Sequence, residues 1–149
     1  MVHALEKIRR LLTPSGRLID IHPSGERPSI EVRRDRQVTT AAVVVGWLQE
    51  TDDFIEYAQA GAALAQAVER GWFAAGRRGA FEFATCASSV SELRAYLAQE
   101  WQDAVIQDDV AARAEEQLAR LGGEAELIVR ERVLIARLRP VWPDGIGET

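Results

Sequence analysis

The stretch Leu11-Leu12-Thr13-Pro14-Ser15-Gly16-Arg17-Leu18-Ile19-Asp20-Ile21-His22 passes from one hydrophobic pattern to another. Ahead of it, residues 3–12 place Ala4, Leu5, Ile8, Leu11 and Leu12 on one face of a helix, with Glu6, Lys7, Arg9 and Arg10 largely on the other. Pro14 and Gly16 break that periodicity, proline because it has no N–H to continue the helical ladder. Leu18 to His22 then reads as a short strand rich in branched side chains. Its apolar positions do not strictly alternate, so both of its faces are expected to be covered.

Downstream, residues 23–28 read as a loop. A hairpin follows, with Ile30 to Arg33 as one arm, Arg34-Asp35-Arg36 as the turn and Gln37 to Val45 as the other arm. Residues 46–50 are a connector. The clearest helix covers 52–70, opened by a capping box from Asp53 to Glu56 and closed by Gly71. Its expected core face is Phe54, Ala58, Leu64, Ala65 and Val68, and Gly61 in its middle suggests close packing. Residues 79–87 form a strand with Phe81, Phe83 and Thr85 on one face. Ser89 and Glu92 cap a helix near 90–100, where Leu93, Tyr96 and Leu97 have core spacing. Asp108-Asp109 open another helix, which runs to Leu121 and is closed by Gly122-Gly123. Ala125 to Leu138 is one long strand or two. Its apolar parity changes near Glu131-Arg132, which calls for a bulge or for burial on both faces.

This order predicts an α+β or open α/β fold with a mixed, mainly antiparallel sheet and about four helices. No internal repeat or linker interrupts it, so one domain is expected over 1–140, with a tail over 141–149. A chain of 149 residues is long enough for a real core. Hydrophobic residues at 47% and charged residues at 28% exclude a disordered or collagen-like chain. No apolar run approaches the ~18 residues needed to span a bilayer. The net charge of −5 disfavours nucleic acid or an anionic membrane as partner. A positive balance over residues 1–36 leaves room for an anionic ligand or an acidic partner beside the plainer reading of a solvated surface. Cys86 is the single cysteine, and the first residues lack the apolar stretch of a signal peptide, so a cytoplasmic location is expected.

The segment Ile8 to Leu12, Pro14, Gly16 and Leu18 to Ile21 resembles the helix, proline-glycine turn and fifth strand of class I S-adenosylmethionine-dependent methyltransferases. The resemblance implies that strands 79–87 and 125–138 are the antiparallel pair closing such a sheet. Residues 89–104 look like a region that some of these enzymes carry between their last strands. The likeness covers most of this chain but about half of the family's fold. The family holds its methyl donor with a glycine-rich turn after the first strand and an acidic residue after the second, and neither is found here at the matching place. The G-x-G of Gly145-Ile146-Gly147 lies at the end of the sequence, where no strand–turn–helix unit can form around it.

The implied protein is therefore a methyltransferase-like domain without its own S-adenosylmethionine site, inactive alone. It would act as a homodimeric scaffold or be completed by a companion chain that restores the cofactor. The strand Leu18–His22 would present an open edge for that second chain.

A reading of a different class rests on Asp20 and His22. They stand two apart on one strand and share a face, near the carboxyl end where α/β sheets place ligands. His22 could act as a general base whose tautomer Asp20 fixes, or the two could form a purely structural hydrogen-bonded pair. A metal site from His3, His22 and Glu26 is not expected, and no Cys/His spacing suits zinc. Cys86 is expected to be a small buried residue, or else a nucleophile activated by the following helix. Ser88 lacks a nucleophile-elbow context. Arg33, Arg34 and Arg36, with Arg27 nearby, could hold phosphate, but Glu31 and Asp35 among them favour a solvated turn, and Arg77-Arg78 is read the same way. Trp47, Trp72 and Trp101 are expected in core and interface positions, while Trp142 is expected to dock onto the domain or onto a second chain.

Overall fold

A computed structural model describes residues 2–34, 41–51 and 54–142. The turn residues Asp35 and Arg36, the strand residues 37–40, the cap Asp53 and the glycines Gly145 and Gly147 lie outside the described residues, as do the side chains of Phe54 and Glu56. The element order is α1 (Val2–Leu11), β1 (Leu18–Pro23), β2 (Ser29–Arg33), β3 (Val43–Trp47), β4 (Gln49–Glu50), α2 (Phe54–Glu69), β5 (Phe73–Ala87), α3 (Val90–Glu100), β6 (Ala104–Val105), α4 (Asp108–Leu121) and β7 (Glu126–Pro140). The fold class is α+β, with four helices among the described residues and a mostly antiparallel sheet. No helix among the described residues is long and apolar enough to cross a membrane.

The chain divides into two compact units. The first holds Met1–Gly25, Phe54–Phe81 and Val133–Thr149; the second holds Glu26–Asp53 and Glu82–Arg132. The long strands β5 and β7, hydrogen-bonded to each other, each contribute residues to both units.

In the first unit β1 pairs antiparallel with β7, in the register Leu18↔Leu138, Asp20↔Ala136 and His22↔Leu134. Those six side chains point to one face, because strand residues alternate. Its apolar members pack with α1 and α2 in a core of Leu5, Ala63, Leu64, Ala67, Phe73 and Leu138. The opposite face carries Ile19 and Ile21, both at least half exposed, so the expected cover on both faces of this strand is absent from one of them. Leu11 is exposed too, since only Leu5 of α1 is fully buried, with Ile8 and Leu12 partly buried beside it. On α2 the buried positions are Ala63, Leu64 and Ala67, whereas Ala58 and Ala65 are exposed. The helix closes with paired bonds from Gly71 N–H to Val68 C=O and from Trp72 N–H to Ala67 C=O. Gly71 adopts φ +67°, the left-handed conformation that favours glycine.

In the second unit β2 pairs antiparallel with β3 and with residues 126–130 of β7. Ile30, Val32, Leu127 and Val129 form one buried face under α3 and α4, which contribute Val90, Leu93, Leu97, Val110, Ala111 and Ala114. Ser89 caps α3 by accepting from Glu92 N–H at 3.1 Å, while the Glu92 carboxylate accepts from Ser88 N–H and Oγ. Residues 49–50 are not a plain connector: they pair with β6 in a separate two-stranded sheet.

β7 is one continuous strand. Its parity changes between Arg130, the last residue paired with β2, and Val133, the first paired with β1. Residues 126–129 are buried on both faces, so burial explains the pattern there, and the register irregularity falls instead at Ile30/Glu31 opposite β3.

Candidate ligand site at the Asp20–His22 pair

Asp20 and His22 meet as the i, i+2 spacing on β1 requires. His22 Nδ1 lies 2.6 Å from Asp20 Oδ2, with 16% and 21% of the two side chains exposed. A carboxylate on Nδ1 favours the tautomer with its proton there, which makes Nε2 the acceptor nitrogen. The pair borders a cavity of about 210 Å³ within the first unit. Leu64 and Ala65 of α2, with Leu134, Ala136 and Leu138 of β7, give it an apolar lining, and Arg78 of β5 adds a guanidinium. The carboxyl-end rule for parallel sheets does not apply here, because β1 and β7 are antiparallel; the cavity marks the site instead.

Gly61 also lines this cavity. A Cβ placed there would meet nothing within 4 Å, so the expectation of close packing at Gly61 is corrected. Gly61 is itself exposed, and the open space beside it adjoins the cavity. Gly46 in the second unit shows the contrast, since a Cβ there would fall 2.6 Å from Val110 Cγ1.

The charged residues of β2 and β7 do not form a solvated turn. Arg33 lies directly opposite Glu126 and donates from Nε at 3.2 Å and also from Nη2. Glu31 accepts from Arg130 Nε and Nη2 at 3.0–3.1 Å and from Ser29 Oγ at 2.7 Å. Both glutamates are buried. Burial pushes the Glu31 carboxyl up, but the hydrogen bonds from Arg130 and Ser29, with the charges of Arg130 and Arg33, outweigh it and hold the pKa below the ordinary value. The same pairing raises the Arg130 pKa. Glu131 has no such compensation, and burial raises its pKa. The sequence shows only that Glu31 and Arg33 stand two apart on β2; the pairing comes from the register, which sets Arg33 opposite Glu126 and lets Glu31, opposite Ile128, reach Arg130 on the diagonal.

Cys86, Ser88, Glu92, Arg33 and Glu126 line an open cleft of about 480 Å³ in the second unit. Its charged groups already bond one another, Arg33 to Glu126 and Glu92 to Ser88. Cys86 is exposed, contrary to the buried expectation. Arg34 and Arg27 are exposed and Arg36 lies outside the described residues. His3 is exposed on α1, and Glu26 pairs with Arg132 at 3.3 Å. Trp142 docks within the first unit, with the Arg9 guanidinium 5.4 Å from its ring centroid and Arg9 Nε donating to Val141 C=O. Trp47 is about half exposed. Set against known proteins, the chain matches no family model, no curated protein and no solved structure.

Proposed function

We propose that this chain binds a small, largely apolar ligand in the first unit, with the Asp20–His22 pair as its polar contact. The observation that carries this reading is the cavity beside Gly61. A glycine inside a helix costs about 1 kcal/mol relative to alanine, and among the described residues no neighbour forbids a side chain at this position. Among the described residues no close packing accounts for the glycine, and room for a ligand at the cavity would. The wall follows the usual recipe of apolar surface with a few placed polar groups. The test is a ligand-observed NMR screen of small amphipathic molecules against the wild type and Gly61→Leu. Binders competing for one site should be lost in Gly61→Leu while its melting temperature does not fall. Binding unchanged by Gly61→Leu, His22→Ala and Asp20→Ala would remove the proposal.

A second reading is favoured by the helix–Pro14–Gly16–strand step and by the hydrogen-bonded pair β5 and β7, both of which the methyltransferase resemblance implies. In this reading the chain is a methyltransferase-like half-domain, inactive alone. β1 ends the strand order and exposes Ile19 and Ile21, an arrangement suited to a second copy or a companion chain. Calorimetric titration with S-adenosylmethionine tests it. No heat at millimolar ligand fits a half-domain awaiting its partner, and saturable micromolar binding means that this chain builds a cofactor site by another route. A cytoplasmic setting accompanies either reading, supported by the single cysteine.

A further inference from the structure

We infer that the ligand of the Asp20–His22 cavity is a small monocarboxylic acid, its hydrocarbon body against Leu64, Leu134 and Leu138 and its carboxylate on Arg78. The inference rests on the ligand-binding reading above and adds the ligand's charge and head group. Arg78 is the cation of the lining, and among the described residues it has neither an ion-pair partner nor a side-chain hydrogen bond. Residues 73–81 of its own strand include no acid. The acid within the lining is Asp20, and it is taken by His22 Nδ1. A cationic ligand would therefore meet the Arg78 guanidinium and an aspartate already in use.

An anion meets the opposite situation. The planar guanidinium fork matches the two oxygens of a carboxylate and binds them in parallel. A phosphate monoester, with up to two charges and more oxygens to satisfy, needs more donors than one arginine provides, since the His22 N–H is already given to Asp20. The volume also limits the body. A cavity of about 210 Å³ is at the small end for ligand sites and suits a short branched or single-ring acid. The exposed position of Arg78 puts the head group at the rim, where it can keep part of its hydration.

The experiment is calorimetric titration of the full chain with 3-methylbutanoate, its amide and 3-methylbutylamine, repeated on Arg78→Gln and Gly61→Leu, with a thermal melt of each variant as a folding control. The acid should bind the wild type about tenfold or more tighter than the amide, the amine weakest. Arg78→Gln should erase the preference of acid over amide and leave the amide's affinity in place, while Gly61→Leu should remove all three. Equal binding of acid and amide, tightest binding of the amine, or an unchanged acid preference in Arg78→Gln overturns the carboxylate assignment and leaves the cavity reading standing. Failure of all three compounds to bind the wild type overturns both.

Discussion

In the second unit, Glu31 and Arg130 bond each other twice over, Arg33 closes on Glu126, and a close-packed core lies on the opposite face of the same strands. In the first unit, Asp20 and His22 bond one another beside a cavity whose lining includes Arg78, without an ion-pair partner among the described residues, and a glycine at which a Cβ would meet nothing within 4 Å among those residues. Both arrangements place charged groups on strand faces next to hydrophobic cores. One arrangement satisfies its polar groups within the protein, which is what stability asks of buried polar atoms. The other leaves donors and volume unused, which a binding site requires and stability does not. A stability defect is therefore expected from mutations in the ladder, and a binding defect from mutations at the cavity.

The largest effect should come from breaking the ladder. Glu31→Ala leaves Arg130 with Glu82 at 3.4 Å as its remaining carboxylate and strands the Ser29 hydroxyl. Losing one partner of a buried pair costs about 3–5 kcal/mol. With 30% of the Arg130 side chain exposed, solvent replaces part of the loss, so about 2–3 kcal/mol is expected by urea unfolding at neutral pH. The folded-state pKa of Glu31 is lowered from the model-peptide value of 4.5, so its contribution is fully present above that value. It disappears as pH falls through the lower, folded-state pKa. The gap between wild type and Glu31→Ala should therefore narrow in acid; a gap constant from neutral pH to pH 3 contradicts the ionic assignment.

Next in size is Gly46→Ala. Its Cβ would sit 2.6 and 2.7 Å from the two methyls of Val110, a β-branched side chain with little freedom to turn away. Overpacking of this kind costs about 1–3 kcal/mol. Val110→Ala should restore much of the loss in the double variant, and the two changes should be clearly non-additive in a double-mutant cycle.

These two cases also show how much the sequence disclosed. Helix and strand placement was legible because amphipathic spacing, Pro14–Gly16, Gly71 and the Ser89 cap are local signals, read without knowing what packs where. The i, i+2 meeting of Asp20 and His22 was legible for the same reason. The pairing of Glu31 with Arg130 was not, because it depends on a register that brings together residues 99 positions apart. Arg33 beside Arg34 therefore read as a turn cluster. The short pair β4 and β6 escaped because two residues carry no periodicity. Gly61 was misread because a glycine has the same letter whether a neighbour or a void occupies the place of its side chain.

Gly61→Ala sharpens the contrast with Gly46. The same substitution should raise stability by about 1 kcal/mol, since α2 gains helix propensity and the new methyl meets no neighbouring atom of the described residues. A loss would mean that the space beside α2 is already filled, and the cavity argument would fall with it.

The smallest expected effect separates two kinds of carboxylate in the second unit, the buried Glu31 and the half-buried Glu131. Glu131 is one residue along β7 from Arg130, yet burial raises its pKa, whereas the pairing of Glu31 lowers that carboxyl's value. A raised folded-state pKa means that the native state resists ionisation. Stability from the protonated form is complete below the model-peptide value of 4.5 and declines as pH rises through the folded-state pKa. At neutral pH the ionised Glu131 therefore works against the fold, and Glu131→Gln should increase stability modestly there and have little effect in acid. Glu31→Gln should destabilise at neutral pH and also fade in acid. Opposite signs at pH 7 that converge near pH 3 would establish that neighbouring carboxylates on one sheet differ by their partners rather than by depth. Matching signs would mean that burial alone governs both.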